Sequence, residues 1–199
     1  MKKTIIFVVA FSSTLAHANL IANGSFELGT LPASGNYISV GVGSSAMPSW
    51  TISQAGIAWA NGTSFGVSPS DGLGHIDLFG FHDSFPSGMV SQTILTTVGQ
   101  AYNVQFDVGS FNGQTPQVRV AAGSQFADFS YPNNDTSWMT MNWSFVATST
   151  STSISFEGGP ASWPVHAGLD KISVEAVPEP ASMVALGAGL LALARRRKA

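Results

Sequence analysis

Between Gly74 and Val108 the side chains change character at almost every residue, and that alternation most constrains how the chain folds. Ile76 and Leu78 flank Asp77, Val90, Thr93 and Leu95 lie in a β-rich run, and Tyr102, Val104, Phe106 and Val108 place every second side chain on one face. A period of two is the period of a half-buried strand, and Gly99-Gln100 breaks it as a turn does. The pattern predicts two strands joined by a tight turn, each with one face in a core.

The same texture recurs along the chain. Tyr37 to Val42, Trp50 to Ile52, Ile57 to Trp59, Gln117 to Ala121, Trp138 to Ala147, Thr152 to Glu157 and Gly168 to Val177 are short apolar or β-branched runs, with Leu169, Ile172 and Val174 as the buried positions of the last. Asn23-Gly24, Asn61-Gly62 and Pro132 to Asp135 read as turns, and Phe126, Phe129 and Tyr131 as a less regular aromatic patch. Trp50, Trp138 and Trp143 fall in β-patterned runs and are expected in the core. No long segment between the chain ends has a helical apolar period. Nine or ten short strands with Gly, Pro, Asn and Ser turns predict an all-β fold, an antiparallel β-sandwich or jelly roll.

Both ends of the 199-residue chain read as address labels. Lys2 and Lys3, the apolar run from Ile5 to Phe11 and the small-x-small site Ala16-His17-Ala18 form a signal peptide over 1–18, so the mature chain starts at Asn19 and is exported. At the other end Pro178-Glu179-Pro180 precedes an apolar segment, 183–194, and then Arg195, Arg196, Arg197 and Lys198. That segment is short against the ~20 residues of a usual spanning helix. Residues 178–199 resemble a PEP-CTERM sorting signal, with Pro178, Glu179 and Pro180 as its motif and 183–194 as its transmembrane segment. The resemblance implies an exosortase as partner, transient inner-membrane association, a setting of exopolysaccharide production, and a destination at the cell surface or in the extracellular matrix. The folded body is then one β-sandwich domain, 19–177.

Net charge is -3, yet Lys2, Lys3 and the four C-terminal bases lie in the labels, leaving Arg119 and Lys171 in an acidic body. Such a body has no basic footprint for a phosphate backbone, which argues against nucleic acid as a partner. Cysteine is absent from the sequence. Stability must come from packing, backbone hydrogen bonds or a bound metal, and thiol chemistry is excluded.

Few residues carry chemistry by pattern alone. His75 and Asp77 would share a strand face, which permits a zinc contribution, but structural hydrogen bonding is the plainer reading and no H-E-x-x-H motif accompanies them. No G-x-S-x-G elbow is present. Asp77, Asp107, Asp128 and Glu157 are the carboxylates left to consider for glycoside hydrolysis, with solvated acids or strand-end acceptors as their simplest roles. Trp59, before an Asn-Gly turn, and Trp163, in a loop, are the candidate ligand-binding residues, since an indole face stacks on a sugar ring. Packing is the alternative for both.

Asn19-Leu20-Ile21 with Asn23-Gly24-Ser25-Phe26-Glu27, then Ile76-Asp77-Leu78 with Gly80, Ser91-Gln92-Thr93, and Gly168-Leu169-Asp170-Lys171-Ile172 resemble galactose-binding-like β-sandwich modules, especially bacterial choice-of-anchor domains related to DUF642 proteins. The resemblance implies a galactose-binding-like jelly roll and a structural calcium ion (Ca2+) tying the first and last strands. Glu27 and Asp170 stand at its two acidic positions, and backbone carbonyls of Asn23 or Ser25 would add oxygen ligands. The alternative is that Glu27 is an exposed turn residue and Asp170 accepts backbone N–H groups. The function expected is that of an exported, non-catalytic carbohydrate-binding module, with exopolysaccharide or envelope glycan as partner. A structural protein that binds another envelope protein, and a glycan-active hydrolase, are the alternatives.

Overall fold

The computed structural model describes residues 18–64, 66–80, 86–111, 113–133, 135–159 and 165–178, with positions 187 and 189. Eleven strands run through the described residues: β1 Tyr37–Val40, β2 Thr51–Gln54, β3 Ile57–Asn61, β4 Gly74–Asp77, β5 Gly88–Leu95, β6 Ala101–Ser110, β7 Gln117–Ala122, β8 Gln125–Ser130, β9 Trp138–Val146, β10 Ser151–Gly158 and β11 Ala167–Ala176. They form two antiparallel sheets packed as a sandwich, one of order β1-β3-β4-β11-β6-β9 and one of order β2-β5-β10-β7-β8. β7 pairs with β8, β6 with β9, β5 with β10 and β4 with β11. The chain from β4 to β11 is therefore one long antiparallel ribbon, turned back on itself at the β7–β8 turn and rolled into two layers.

The inner faces carry the expected alternation. Tyr102, Val104, Phe106 and Val108 of β6 are buried, as are Val90 and Ile94 of β5 and Ile154 and Phe156 of β10. Rings join the layers: Phe106 lies 5.1 Å from Phe156 and 5.4 Å from Phe129, both edge-on, and Trp50 lies 5.5 Å from Phe26. Such edge-to-face pairs are worth about 0.5–1.5 kcal/mol beyond the area they bury.

Three local readings need correction. The turn at Gly99-Gln100 exists, with Gln100 N–H donating to the Thr97 carbonyl, but β5 and β6 do not pair with each other; the turn carries the chain from one sheet to the other. The aromatic patch at 126–131 contains a regular strand, β8, whose alternation points Phe126 outward and Phe129 inward. Trp138 is not a core residue. It lies on the outer face of the first sheet, where a row of small residues, Ala58, Gly168 and Gly109, crosses the sheet beside Asp77 and ends at Trp138.

The last strand shows why Leu169, Ile172 and Val174 are all buried although their spacing is three and then two. A bulge between Asp170 and Ser173 shifts the register, and Lys171 takes φ 53° to make it. The bulge receives the N-terminal segment: Ile172 N–H donates to the Gly24 carbonyl at 2.9 Å and Leu20 N–H to the Val174 carbonyl at 2.8 Å. A Cβ on Gly24 would sit 2.1 Å from the Ile172 carbonyl oxygen, so only glycine fits this approach.

The indole of Trp138 packs directly on Gly109, where a Cβ would meet its Cζ3 at 2.7 Å. Gly109→Ala is expected to displace that ring and to cost about 1–3 kcal/mol, lowering the melting midpoint, whereas Gly41→Ala, whose Cβ would meet nothing within 4 Å, should leave it unchanged. Calorimetry of the two variants checks this; equal midpoints would show that Trp138 makes no close contact with the sheet.

Candidate functional site

The sequence-predicted sugar platform at Trp59 is overturned by its position. β3 lies between β1 and β4, and the alternation that buries Ile57 points Trp59 into the same core. Its ring is fully buried and its Nε1–H donates to the Phe26 carbonyl at 3.1 Å, so it offers no face to a ligand. Trp163 lies outside the described residues. So do Glu179, Pro180 and, apart from two positions, the 183–194 segment, while Pro178 is exposed; no helix among the described residues is long and apolar enough to cross a membrane.

The predicted calcium residues meet around one loop. Asp170 is fully buried, and its Oδ2 accepts the N–H groups of Ser70 at 2.8 Å and Asp71 at 2.9 Å, while Oδ1 accepts that of Lys171 at 2.7 Å. Glu27 Oε1 accepts the N–H groups of Leu73 at 2.7 Å and Gly74 at 2.6 Å. The two carboxylates thus brace successive halves of the 70–74 segment. Ser25 joins them, its hydroxyl donating to Asp71 Oδ2 at 2.6 Å. Asn23 is bonded elsewhere in this arrangement: its carbonyl accepts Trp50 Nε1–H and Phe26 N–H, and its side-chain amide ties Leu28 and Pro48.

Burial pushes the Asp170 carboxyl up to about 7; its three backbone N–H donors pull the other way and the Asp71 charge adds to the rise. A carboxylate taken out of water with no cationic side chain bonded to it among the described residues, beside a second acid and a serine hydroxyl, is an oxygen-only donor set that fits a hard cation. Among the described residues no three His, Cys, Asp or Glu side chains group as a metal site, so such an ion would also need backbone or water oxygens. Beside Asp170 in register lies Asp107, buried, bonded to the Ser70 hydroxyl and, at 2.6 Å, to the Thr140 hydroxyl.

His75 and Asp77 share the outer face as their spacing predicts. Asp77 Oδ2 meets His166 Nδ1 at 2.5 Å, and burial raises its pKa while His166 lowers it. The His75 ring is fully buried, 6.0 Å from Phe111 and 5.8 Å from Trp138, and its nitrogens have no hydrogen-bond partner among the described residues. Burial lowers its pKa to about 4, so it stays neutral. Ser68 closes this face over the sheet by accepting Trp138 Nε1–H at 2.6 Å.

Among the described residues the outer face of the second sheet is exposed at Phe126 and Asp128. Glu157, Arg119 and Asp128 stand side by side across β10, β7 and β8. Arg119 Nε donates to Asp128 Oδ1 at 2.7 Å and Nη2 to Oδ2 at 2.9 Å, a bidentate pair that fixes the guanidinium and holds the Asp128 carboxyl below the usual range. The guanidinium carbon lies 4.8 Å from the centre of the Phe126 ring, which is 60% exposed. Serines at 91, 153 and 155 continue this face.

A family model described as "protein of unknown function (DUF642)" matches residues 19–175, and the PEP-CTERM protein-sorting motif matches 176–198. The chain belongs to the DUF642 family. With the sorting motif it has the architecture of a protein exported and sorted toward the cell surface or extracellular matrix. No curated protein matches it in sequence. Among solved structures, the enzymatically active domain of bacteriophage CBA120 tailspike protein 4 is similar with a TM-score of 0.53 and 12% identity, over 80% of this chain and 21% of that one. An arabinose-bound MgGH51 α-L-arabinofuranosidase is similar with a TM-score of 0.54 and 15% identity, over 80% of this chain and 26% of that one. The chain spans about a quarter or less of those proteins, and the likeness is one of fold.

For this DUF642 body, sequence reasoning reached Glu27, Ser25 and Asp170 but missed Ser70, Asp71 and Asp107 as their neighbours, and it missed Phe126. The alternation of β8 was the available signal for Phe126; the meeting of the 70–74 loop with β11, a hundred residues away, left none.

The sign of the Asp170 effect follows from its raised pKa. Folding favours the protonated form, so this contribution to stability is complete below the unfolded value of about 3.9 and is lost as pH rises through about 7. Asp77 acts in the same direction. His75, with its lowered pKa, opposes them: its contribution is lost as pH falls from 6.5 toward about 4. In chelator, Asp170→Asn is therefore expected to flatten the fall in melting midpoint between pH 4 and 7 and to leave the acid limb in place. Parallel slopes for variant and wild type would place the Asp170 charge in water.

Proposed function

We propose that the DUF642 body is a non-catalytic, glycan-binding jelly roll of galactose-binding-like type, carried to the cell surface or matrix by its sorting signal through an exosortase. The rolled ribbon from β4 to β11, with each strand of its first half paired to one of its second half, supports the jelly-roll reading. The observation that carries the function is the outer face of the second sheet. There an exposed Phe126 ring carries over one face a guanidinium locked by Asp128, with serine hydroxyls on the neighbouring strands. An apolar ring face flanked by fixed donors and acceptors is what a sugar, with its C–H face and hydroxyl rim, requires. Asp77, Asp107 and Asp128 are each bonded within the fold, which supports a binding role over hydrolysis.

Calcium belongs to the same proposal. Asp170 and Glu27, with oxygen from Ser25, would hold it, and it would supply the positive charge that the buried Asp170 lacks. A second reading, attachment of another envelope protein, draws on the edge strand β1, where Tyr37 and Ile38 are 42% and 37% exposed and Val42 follows at 61%.

A glycan panel with the purified protein tests the first reading. Saturable binding to envelope or exopolysaccharide glycans is expected, weakened about tenfold by Phe126→Ala, the equivalent of ~1.4 kcal/mol of stacking. Trp163→Ala run in parallel shows whether that loop contributes. Binding that Phe126→Ala leaves intact would remove the second-sheet face as the site, and no binding to any glycan would overturn the glycan reading.

A further inference from the structure

We infer that the end of the sandwich from which the sorting signal emerges is a lipid-facing surface, docked on the bilayer while the chain is tethered for sorting. The folded body ends at Val177, which is fixed there: its N–H donates to the Ala101 carbonyl at 2.9 Å and its carbonyl accepts Gln100 Nε2–H at 2.5 Å. Around that exit stand the end of β5, the 96–100 turn and the end of β9. Their apolar side chains point into solvent: Leu95 is 82% exposed, Val98 59% and Val146 47%. Single exposed apolar residues are ordinary on a protein surface, but here three flank one exit, Leu95 from the second sheet, Val98 from the turn and Val146 from the first.

Charge separates this end from the rest of an acidic body. Segments 95–101 and 146–151 contain only apolar, glycine, hydroxyl and amide residues. Glu175, exposed two residues before the exit, stands one step back along the sheet, opposite Asn103. Turn and strand-end segments of leucine, valine and threonine without acids meet a headgroup region without repelling anionic lipid, and place their apolar tips at the acyl boundary with Glu175 set back from it.

The length of chain beyond the body supplies the occupant. Only residues 178–182 separate Val177 from the 183–194 segment, and five residues reach at most about 18 Å at full extension. The inference rests on reading 183–194 as membrane-entering. On that reading the tether holds this end, and not the opposite end of β6, roughly 30 Å away along the strand, at the interface.

The absence of cysteine from the sequence makes the test direct. Leu95→Cys, Val98→Cys and, at the opposite end, Thr115→Cys are each labelled with a fluorophore in the full chain, which is reconstituted in phosphatidylcholine–phosphatidylglycerol vesicles containing brominated acyl chains. Quenching several-fold stronger at 95 and 98 than at 115 is expected. Adding Leu95→Asp and Val98→Asp to a chain labelled at Val146→Cys should abolish quenching there without changing the melting midpoint in detergent. Equal quenching at the two ends, quenching that survives the aspartates, or contact that appears only when an exosortase is present would each overturn a lipid surface as the occupant.

Discussion

The carboxylate of Asp170 is wholly out of water, holds three backbone N–H groups, and has no cationic side chain bonded to it among the described residues. Burying a charge in this way is costly unless hydrogen bonds or a cation compensate. What surrounds Asp170 shows how much of the fold relies on that compensation. The residue opens the bulge of β11, the strand that joins β4 to β6 and so closes the ribbon. The same bulge receives the N-terminal segment at Gly24, and the loop that Asp170 and Glu27 brace leads, through Ser68, to the roof over Trp138. The N-terminal segment, the closing strand and the covering loop meet at this bulge.

The two outer faces of the sandwich differ accordingly. That of the first sheet is built up under its loop with small residues, a neutral His75 and paired acids, so its polar groups serve the fold. Among the described residues, that of the second sheet has no such cover over Phe126 and the Arg119–Asp128 pair. This surface pair adds little to stability, and its fixed geometry is better suited to orienting a hydroxylated ligand. The third distinct surface, the apolar end around Val177, follows from neither sheet but from where the chain leaves the body.

Strand positions were legible because a period of two is a local property: β6, β7, β9, β10 and β11 lie within a residue or two of where alternation puts them. The partners of those strands were not, since pairing across a rolled ribbon is set by contacts remote in sequence. The Gly99-Gln100 turn looks the same whether it makes a hairpin or passes between sheets. Trp59 shows a related limit. A large ring before an Asn-Gly turn is compatible with exposure or burial, and only the neighbours of β3 decide. Glu27, Ser25 and Asp170 could be named through a resemblance of short motifs, while Ser70 and Asp71 carry no motif and enter through the loop alone; Asp107 was legible as a strand carboxylate, but its place beside Asp170 is set by the β6–β11 register.

If the buried charge of Asp170 is the constraint on which this architecture rests, a cation that supplies its counter-charge must stabilise the fold. Calorimetry of the purified protein near neutral pH, with calcium and with chelator, tests this most directly. A hundredfold excess over Kd is worth about 2.7 kcal/mol, and each kcal/mol moves the midpoint of a domain this size by about 2–4 °C. The account predicts a midpoint that falls on chelation, returns with calcium, and ceases to respond in Asp170→Asn. Identical curves with calcium and with chelator, together with no calcium retained after exhaustive dialysis, would contradict it.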